Sequence, residues 1–432
     1  MELGTTSVHC PRCRSVHAAR LVREGDRILG VSDCPAGTPP VELTDDADLF
    51  LQLRALDCET EERCRTPDDP LPRAQLYITE ACNWRCPVCY AASGPDEGGA
   101  HLPVAECLRR AQDAKSRGLR RLILLGGEPT VHPELEAIVS GLHGLGITVS
   151  LGTNGQRLAD EPALAQRLKA AGLAHVNLQF DTLVTETLRR LRGHAEVELK
   201  QRAVRHLAAA RLPYSLTVTV TRLNLPELGA IVRWAASQPV LPSLVLFQAM
   251  VQAGRYPEGL AGVSREAMIG EVLRAGVVTG ATARHLHVVP RIPAGGLAIH
   301  PDCGALLFAL RRGEELVPAE SALDIARLVQ ALTGYRDSWR TRLYAAGALL
   351  RSPHPGHGYE SFAALLGLLP GRVNRRLMLL GFSSFCSPDF LDERRLARCA
   401  DHVLLATGTA PVCRHFGLRT PNPEPVPPRT SP

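Results

Sequence analysis

Cys82-Asn-Trp-Arg-Cys86-Pro-Val-Cys89 sets three thiols within eight residues. A loop of that length can wrap three irons of a cubane [4Fe–4S] cluster and leave the fourth iron without a protein ligand. An open iron is what a substrate-binding cluster requires, because a small chelating molecule can occupy it and receive an electron. The hard chemistry then belongs to the cofactors, and the protein supplies binding, orientation and exclusion of water. A zinc knuckle drawing on a distant fourth ligand is the competing reading, but zinc sites usually come as CxxC pairs.

A second element adds to the first. Gly126-Gly127-Glu128-Pro129-Thr130 ends an apolar run, at the kind of strand end where β/α enzymes build their sites. Two glycines let a backbone approach a ligand closely, and Glu128 can accept from an ammonium group. Taken alone, the same residues make a tight turn into a helix, with Thr130 or a neighbour as cap.

The elements that must position these residues alternate. Candidate strands cover 74–79, 119–126, 147–152, 174–180, 213–220 and 243–250, and candidate helices cover 103–118, 133–146, 161–172, 198–211 and 227–238. The strands are rich in Val, Ile and Leu with little alternation, as strands buried on both faces should be. Six such units predict an α/β fold: a parallel sheet with helices outside, as an open sheet or, preferred here, a curved partial barrel. Three zones follow, 1–70, 71–255 and 256–432, the first closed by the linker-like TPDDPLP at 66–72. The first zone holds one candidate strand, ARLVREGDRILGV at 19–31. The last is expected to be mainly helical, with segments near 322–333, 341–351, 360–369 and 373–381, a turn carrying Cys303, and a proline-rich end expected to be disordered.

With CNWRCPVCY, GGEP, GTNG (152–155) and QFD (179–181) in this order, residues 74–250 resemble the radical SAM superfamily. The resemblance implies a partial (β/α)6 barrel with S-adenosylmethionine (SAM) chelating the open iron of a cluster on Cys82, Cys86 and Cys89. Reductive cleavage of SAM would then yield a 5′-deoxyadenosyl radical that abstracts hydrogen from an unactivated carbon. It also implies that Tyr90 helps bury the adenine and that Gly126, Gly127, Glu128 and Pro129 bind SAM. Thr153, Asn154, Gln179 and Asp181 would face the nucleoside or substrate, although Asn154-Gly155 is equally a turn signal and Asp181 can cap the following helix.

The wider chain resembles the tetraether lipid synthase family and its radical SAM methylase relatives, through CPRC with a later DCP, GGEPTVHPEL, TNGQRLA, NLQFD, HPDCG and RRLARC…PVC. That resemblance implies joining or alkylation of sp3 carbons in lipids, or methylation of a pterin-like small molecule. It further implies an N-terminal rubredoxin-like metal ribbon, a C-terminal iron–sulfur region, and an electron donor such as ferredoxin or flavodoxin. The sequence departs from the pattern at Cys34-Pro-Ala-Gly, at Asp181-Thr182-Leu183 and in a short region after residue 304. These changes leave the core chemistry intact and the choice of substrate open.

The remaining cysteines divide by place. Cys10 and Cys13 form a CxxC knuckle and Cys34 half of another, a set suited to a mononuclear iron or zinc. Cys58 is the preferred fourth ligand, with Cys64 or a histidine as alternatives. Cys303, Cys386, Cys399 and Cys413 suffice for an auxiliary [4Fe–4S] cluster. Cys107 sits on the apolar side of a helix as a small hydrophobe, and His132 and His300 read as turn-packing residues. Arg192-Gly193-His194 can bind an anionic group, and 342–351 and 361–371 can line an apolar channel for a lipid.

Composition sets bounds. Aromatic residues are 4% of the chain and the formal net charge is only +5, which argues against a nucleic-acid partner. Neither a signal peptide nor a spanning helix is indicated, so a cytoplasmic setting is expected. Thirteen cysteines there read as metal ligands rather than disulfides. A non-catalytic metal-binding or electron-transfer scaffold is the alternative of another class. It would leave GGEP without a task.

Overall fold

The computed structural model describes residues 1–10, 12–58, 73–95, 99–194, 196–288, 302–323, 325, 376–399 and 401–418. The chain opens with an antiparallel sheet: β1 (Glu2–His9), β2 (Val16–Glu24), β3 (Arg27–Ser32) and β4 (Val41–Thr44), followed by α1 (Ala47–Cys58). The single strand expected at 19–31 is instead a hairpin of β2 and β3, with Glu24 paired to Arg27 across Gly25-Asp26. Gly25 takes a left-handed φ of 62°, the conformation that two-residue hairpin turns demand.

Six parallel strands then alternate with helices: β5 (Arg73–Thr79), β6 (Arg121–Gly126), β7 (Thr148–Thr153), β8 (Leu173–Gln179), β9 (Tyr214–Val220) and β10 (Leu244–Ala249). Between them lie α2 (Val104–Ser116), α3 (Leu135–Gly144), α4 (Gln156–Asp160), α5 (Leu164–Ala170), α6 (Thr185–Arg192), α7 (Val197–Ala209) and α8 (Leu228–Ser237). All six expected strands and all five expected helices of this zone are present. α4 and α6 add to them.

The strands do alternate, contrary to the sequence reading. Leu76 and Ile78, Leu122 and Leu124, Val149 and Leu151, Val176 and Leu178, Leu216 and Val218, and Val245 and Phe247 are buried in one core with the helices. The residues between them point to the opposite face, and there they are Gln75, Tyr77, Ser150, His175, Asn177, Gln179, Ser215, Thr217, Thr219 and Gln248, with Ile123, Leu125 and Leu246 as apolar members. The inner face of the sheet is thus largely polar. It is knit across strands: His175 Nε2 and Ser215 Oγ share a hydrogen bond of 3.1 Å, and Ser215 Oγ donates to Asn177 Oδ1 at 2.8 Å.

The C-terminal zone starts with α9 (Arg265–Arg274) and adds strands to both edges of this sheet. β11 (Leu286–His287), β12 (Gly304–Arg312), β13 (Glu315–Pro318) and β14 (Leu377–Ser383) extend the β10 edge. The helix expected near 373–381 is therefore replaced by β14, whose uninterrupted apolar run sits between β10 and β12. β15 (Leu391–Asp392) crosses to the first sheet and pairs with β1, and α10 (Glu393–Ala397) follows it. β16 (His402–Leu404) then joins β5, with β17 (Thr409–Pro411) outside it, and α11 (Val412–Gly417) follows. The segments near 341–351 and 360–369 lie outside the described residues. Among the described residues no helix is long and apolar enough to cross a membrane.

Burial pushes the His175 imidazole down to about 4, and Arg121 adds to the shift. The unfolded chain takes up this proton below pH ~6.5 while the fold resists it, so stability falls as pH drops from 6.5 to 4. His175→Gln is expected to remove up to about 3 kcal/mol of that fall. Urea midpoints of the reduced, metal-free chain at pH 7.5 and 4.5 measure it; an unchanged difference between the two pH values would refute the assignment.

Candidate active site

The chain leaving β5 carries Cys82, Cys86 and Cys89, and it is held from three sides. On the β6 side, Gly127 N donates to Thr79 O at 2.9 Å and Glu128 N to Ala81 O at 2.8 Å. A Cβ on Gly126 would lie 2.2 Å from Thr79 O, and one on Gly127 2.3 Å from Ala81 O. Both glycines are therefore required by the protein's own backbone, and not only by a ligand. On the second side, Val88 N donates to Leu191 O and Arg192 Nη1 donates to Val88 O at 2.7 Å. On the third, Cys89 and Arg255 exchange backbone hydrogen bonds, and the Arg255 guanidinium donates to Cys86 O at 2.8 Å and to Ser93 O.

Burial pushes the Cys82 thiol up to about 12, with Glu128, Cys86 and Cys89 adding like charge. Burial raises Cys86 as well. Three thiolates in this loop thus need strong positive compensation, which cluster irons supply on binding. The donor set fits a three-thiolate cluster.

Two buried cations stand beside it. Lys200 is 1% exposed; its Nζ lies 4.4 Å from the centre of the Trp84 ring and donates to Asn154 O and to Gln179 Oε1 at 2.9 Å. His194 stacks on Trp84 at 3.9 Å. Asn83 Nδ2 and Trp84 Nε1 both donate to Gln156 Oε1, and Asn154 Nδ2 donates to Asn83 Oδ1 at 2.8 Å. Arg192 is the second cation. It grips Asp181 through Nε at 2.6 Å and Nη2 at 3.1 Å, and Nη2 also donates to Thr219 Oγ1.

Glu128 is 1% exposed. Its Oε1 accepts from Thr130 N, Thr130 Oγ1 and Thr153 Oγ1, and its Oε2 from Asn154 N at 2.7 Å. The carboxylate therefore pins the β7 end to the β6 end, and Oε2 retains capacity for one further donor. Pro129 opens a buried 3₁₀ turn behind it. Asp181 does not cap α6, whose first turn follows Val184; it receives Thr219 N at 2.8 Å as well as Arg192. Tyr90 Oη meets Tyr77 Oη at 3.1 Å, and its ring packs edge-on against Phe416 of α11 at 4.7 Å.

The other cysteines fall into two groups. Cys303 precedes β12, Cys386 joins β14 to β15, Cys399 precedes β16, and Cys413 opens α11. Three of them gather at Arg395, whose Nη2 donates to Cys303 Sγ at 3.3 Å and whose charge reaches Cys386 and Cys413, while Cys399 Sγ donates to Asp401 O at 3.1 Å. Cys386 N donates to Cys413 Sγ at 3.4 Å. Tyr90, Val251, Phe385, Cys386, Cys413 and Phe416 line one small open cleft. At the other end of the chain, the sulfurs of Cys10, Cys13 and Cys34 lie within 4.8 Å of one another. The side chain of Cys58, and all of Cys64 and His300, lie outside the described residues. Cys107 is buried on α2, and His132 packs its turn through Leu102 O and Glu134 N, both as expected.

Trp84, Gln156, Lys200 and Arg255 escaped the sequence reading. One signal was available: Lys200 sits at helical spacing among Val197, Val204 and Leu207. A lysine on an apolar stripe is buried only for a reason.

Residues 76–235 match the model of the radical SAM superfamily. A probable GTP 3′,8-cyclase of Thermococcus kodakarensis is 31% identical over 42% of this chain and 58% of its own length. A 7,8-dihydro-6-hydroxymethylpterin dimethyltransferase of Methanocaldococcus jannaschii is 26% identical over 60% of this chain and 55% of its own. The chain thus spans little more than half the length of these curated relatives. SuiB of Streptococcus suis, solved with S-adenosylmethionine, aligns over 49% of this chain and 47% of its own at 16% identity and a TM-score of 0.39.

Asp181→Leu strands the buried Arg192 charge and is expected to cost about 3–5 kcal/mol. Adding Arg192→Met should recover much of that loss. Denaturant midpoints of the reduced, metal-free chain test the pair; equal losses in the single and double variants would show that Asp181 acts on something other than Arg192.

Proposed function

We propose that this chain, which carries a radical SAM domain, cleaves SAM at a [4Fe–4S] cluster on Cys82, Cys86 and Cys89 and functionalises an unactivated C–H carbon of a small polar molecule. The cluster and SAM together supply one-electron cleavage of the S–C5′ bond and the hydrogen-abstracting species. This chain's residues do the rest. Arg192 and Lys200 offset the thiolate charge, Arg255 and the β6 glycines fix the loop, and Trp84 closes one side against water. The free acceptor capacity of Glu128 suits the SAM ammonium group, and Tyr90, which follows Cys89, is assigned to the adenine.

The observation that carries the substrate class is the polar inner face of the sheet. Asn177, Gln179, Ser215 and Thr217 offer hydrogen bonds where a hydrocarbon chain would need apolar walls. Both relatives above are named for molecules built on fused nitrogen heterocycles, and such a heterocycle, pterin-like, suits this face. C–C bond formation on a lipid relies instead on 342–351 and 361–371, which lie outside the described residues. The grouping of Cys303, Cys386 and Cys413 at Arg395, together with Cys399, supports an auxiliary [4Fe–4S] cluster beside the Tyr90 cleft, with a ferredoxin- or flavodoxin-type protein as donor.

Anaerobically reconstituted chain with dithionite is expected to convert SAM to 5′-deoxyadenosine, and the Cys82→Ala/Cys86→Ala/Cys89→Ala variant is not. Reduced pterins should raise the wild-type rate severalfold, and deuterium at the reacting carbon should appear in the 5′-deoxyadenosine. A cluster-loaded chain that leaves SAM intact with every pterin and lipid tried would favour the scaffold reading. Stimulation by lipids alone would overturn the polar substrate.

A further inference from the structure

A line of hydrogen bonds runs from the start of β16 to Tyr90, and its direction is fixed at the β16 end. β16 pairs with β5 through Val403 and Gln75, which brings Asp401 beside the Gln75 side chain. Gln75 Nε2 donates to Asp401 Oδ2 at 2.8 Å, and Arg73 Nη2 lies 3.3 Å from Asp401 Oδ1. A carboxylate only accepts, so the amide must turn its NH2 end to Asp401 and its carbonyl end away. Tyr77 Oη then donates to Gln75 Oε1 at 3.1 Å. That uses the one hydroxyl proton of Tyr77. Of the two hydroxyls that meet at 3.1 Å, Tyr90 is therefore the donor and Tyr77 the acceptor.

The consequence falls on Tyr90 Oη. Its proton is committed to Tyr77, and only lone pairs remain for a ligand. The residue itself is held in place. Cys89 and Arg255 exchange backbone hydrogen bonds beside it, and a Cβ on Gly254 would lie 2.3 Å from Tyr90 O. The Phe416 ring meets Tyr90 at 4.7 Å and Tyr77 at 5.4 Å. Tyr90 is nonetheless exposed, one residue past Cys89 and on the wall of the open cleft. An amide in the middle of the line is a poor proton carrier, so the line sets an orientation rather than conducting a proton.

We propose that Asp401, Gln75 and Tyr77 are positioning residues that hold Tyr90 Oη as an acceptor for the exocyclic amine of a nitrogen heterocycle. The inference rests on the SAM reading above. Two molecules of that reading carry such an amine: SAM, on its adenine, and a pterin-like substrate, on its pyrimidine ring. An analogue with a ring carbonyl in place of the amine sets oxygen against oxygen with no proton between them. A site built to hydrogen-bond an N–H rejects a ligand that lacks it. The fixed orientation makes the choice, because a phenol free to turn can donate to a carbonyl as readily as it accepts from an amine.

Dissociation constants of the full chain, anaerobically reconstituted and left unreduced, test this without turnover. The paired probes are SAM with its 6-oxo analogue, and 7,8-dihydropterin with 7,8-dihydrolumazine. In one pair the amine form is expected to bind roughly fivefold or more tighter, as one net hydrogen bond provides. Tyr77→Phe and Gln75→Met each release the Tyr90 proton, the second by letting Tyr77 turn its own proton to Tyr90. Both should shrink that ratio, mainly through tighter binding of the oxo form, and the pair that responds names the ligand. Tyr90→Phe should weaken the amine form, whereas a purely structural role would weaken both forms alike. No amine preference in either wild-type pair, or a ratio that neither Tyr77→Phe nor Gln75→Met moves, would overturn the inference and leave the SAM reading standing. A cluster-loaded wild type that does not bind SAM would overturn both. Cluster iron content reports whether each variant is folded, and Gln75→Met keeps the test decisive should Tyr77→Phe fail to fold.

Discussion

The closeness of the β6 end to the chain leaving β5 governs the site. Backbone meets backbone at Gly126 and Gly127, with no room for even a methyl group at 2.2–2.3 Å. Because Ala81 is one residue before Cys82, that contact fixes where the cysteine loop begins. Glu128 then extends the same constraint to β7 through Thr153 and Asn154. Asn154 passes it to Asn83 within the cysteine loop and to Lys200 on α7. A chain of short polar contacts thus makes three strand ends and one helix a single rigid unit, as preorganised sites require.

Charge is the second constraint, and it explains why cations are buried here at all. Arg192 and Lys200 pay a desolvation penalty that would be prohibitive in an apolar core. Burial pushes Lys200 down to about 7 even with Asp181, Cys86 and Glu128 nearby to favour its charged form. Arg192 has the stronger partner, since Asp181 takes it through two hydrogen bonds. The arrangement is costly for a bare fold and makes sense around a group that brings further charge to the loop. Trp84 contributes its ring face to Lys200 and its edge to Gln156, so one residue inside the cysteine loop senses both helices.

Much of this was legible in the sequence. Cys82, Cys86 and Cys89 declare themselves by spacing, and the β/α alternation from 74 to 250 follows from length and apolar content. What stayed hidden has physical reasons. The polar inner face was missed because Ser, Thr and Asn interrupt the apolar runs too gently to break a hydrophobic average. β14 passed for a helix because an apolar run that short has no period of its own when both faces are buried. The β2–β3 hairpin was readable, since Gly25-Asp26 between apolar runs is a turn signal. Arg255 and Gln156 carry no local signature at all; only tertiary approach gives them work.

The C-terminal zone answers why so much chain follows a six-stranded sheet that already holds its own core. A partial barrel has two open edges, and unpaired edges invite association. β14 covers one edge and β16 the other, and between them the chain detours to pair β15 with β1. Cys386 and Cys399 lie on that path, and Cys413 follows it on α11. The approach of Cys386 and Cys413 to Arg395 follows from edge covering: a segment that must touch both edges and the first sheet has to pass one common corner. Tyr90 and Phe416 meet at that corner, so the helix that carries Cys413 also closes on the residue that follows Cys89.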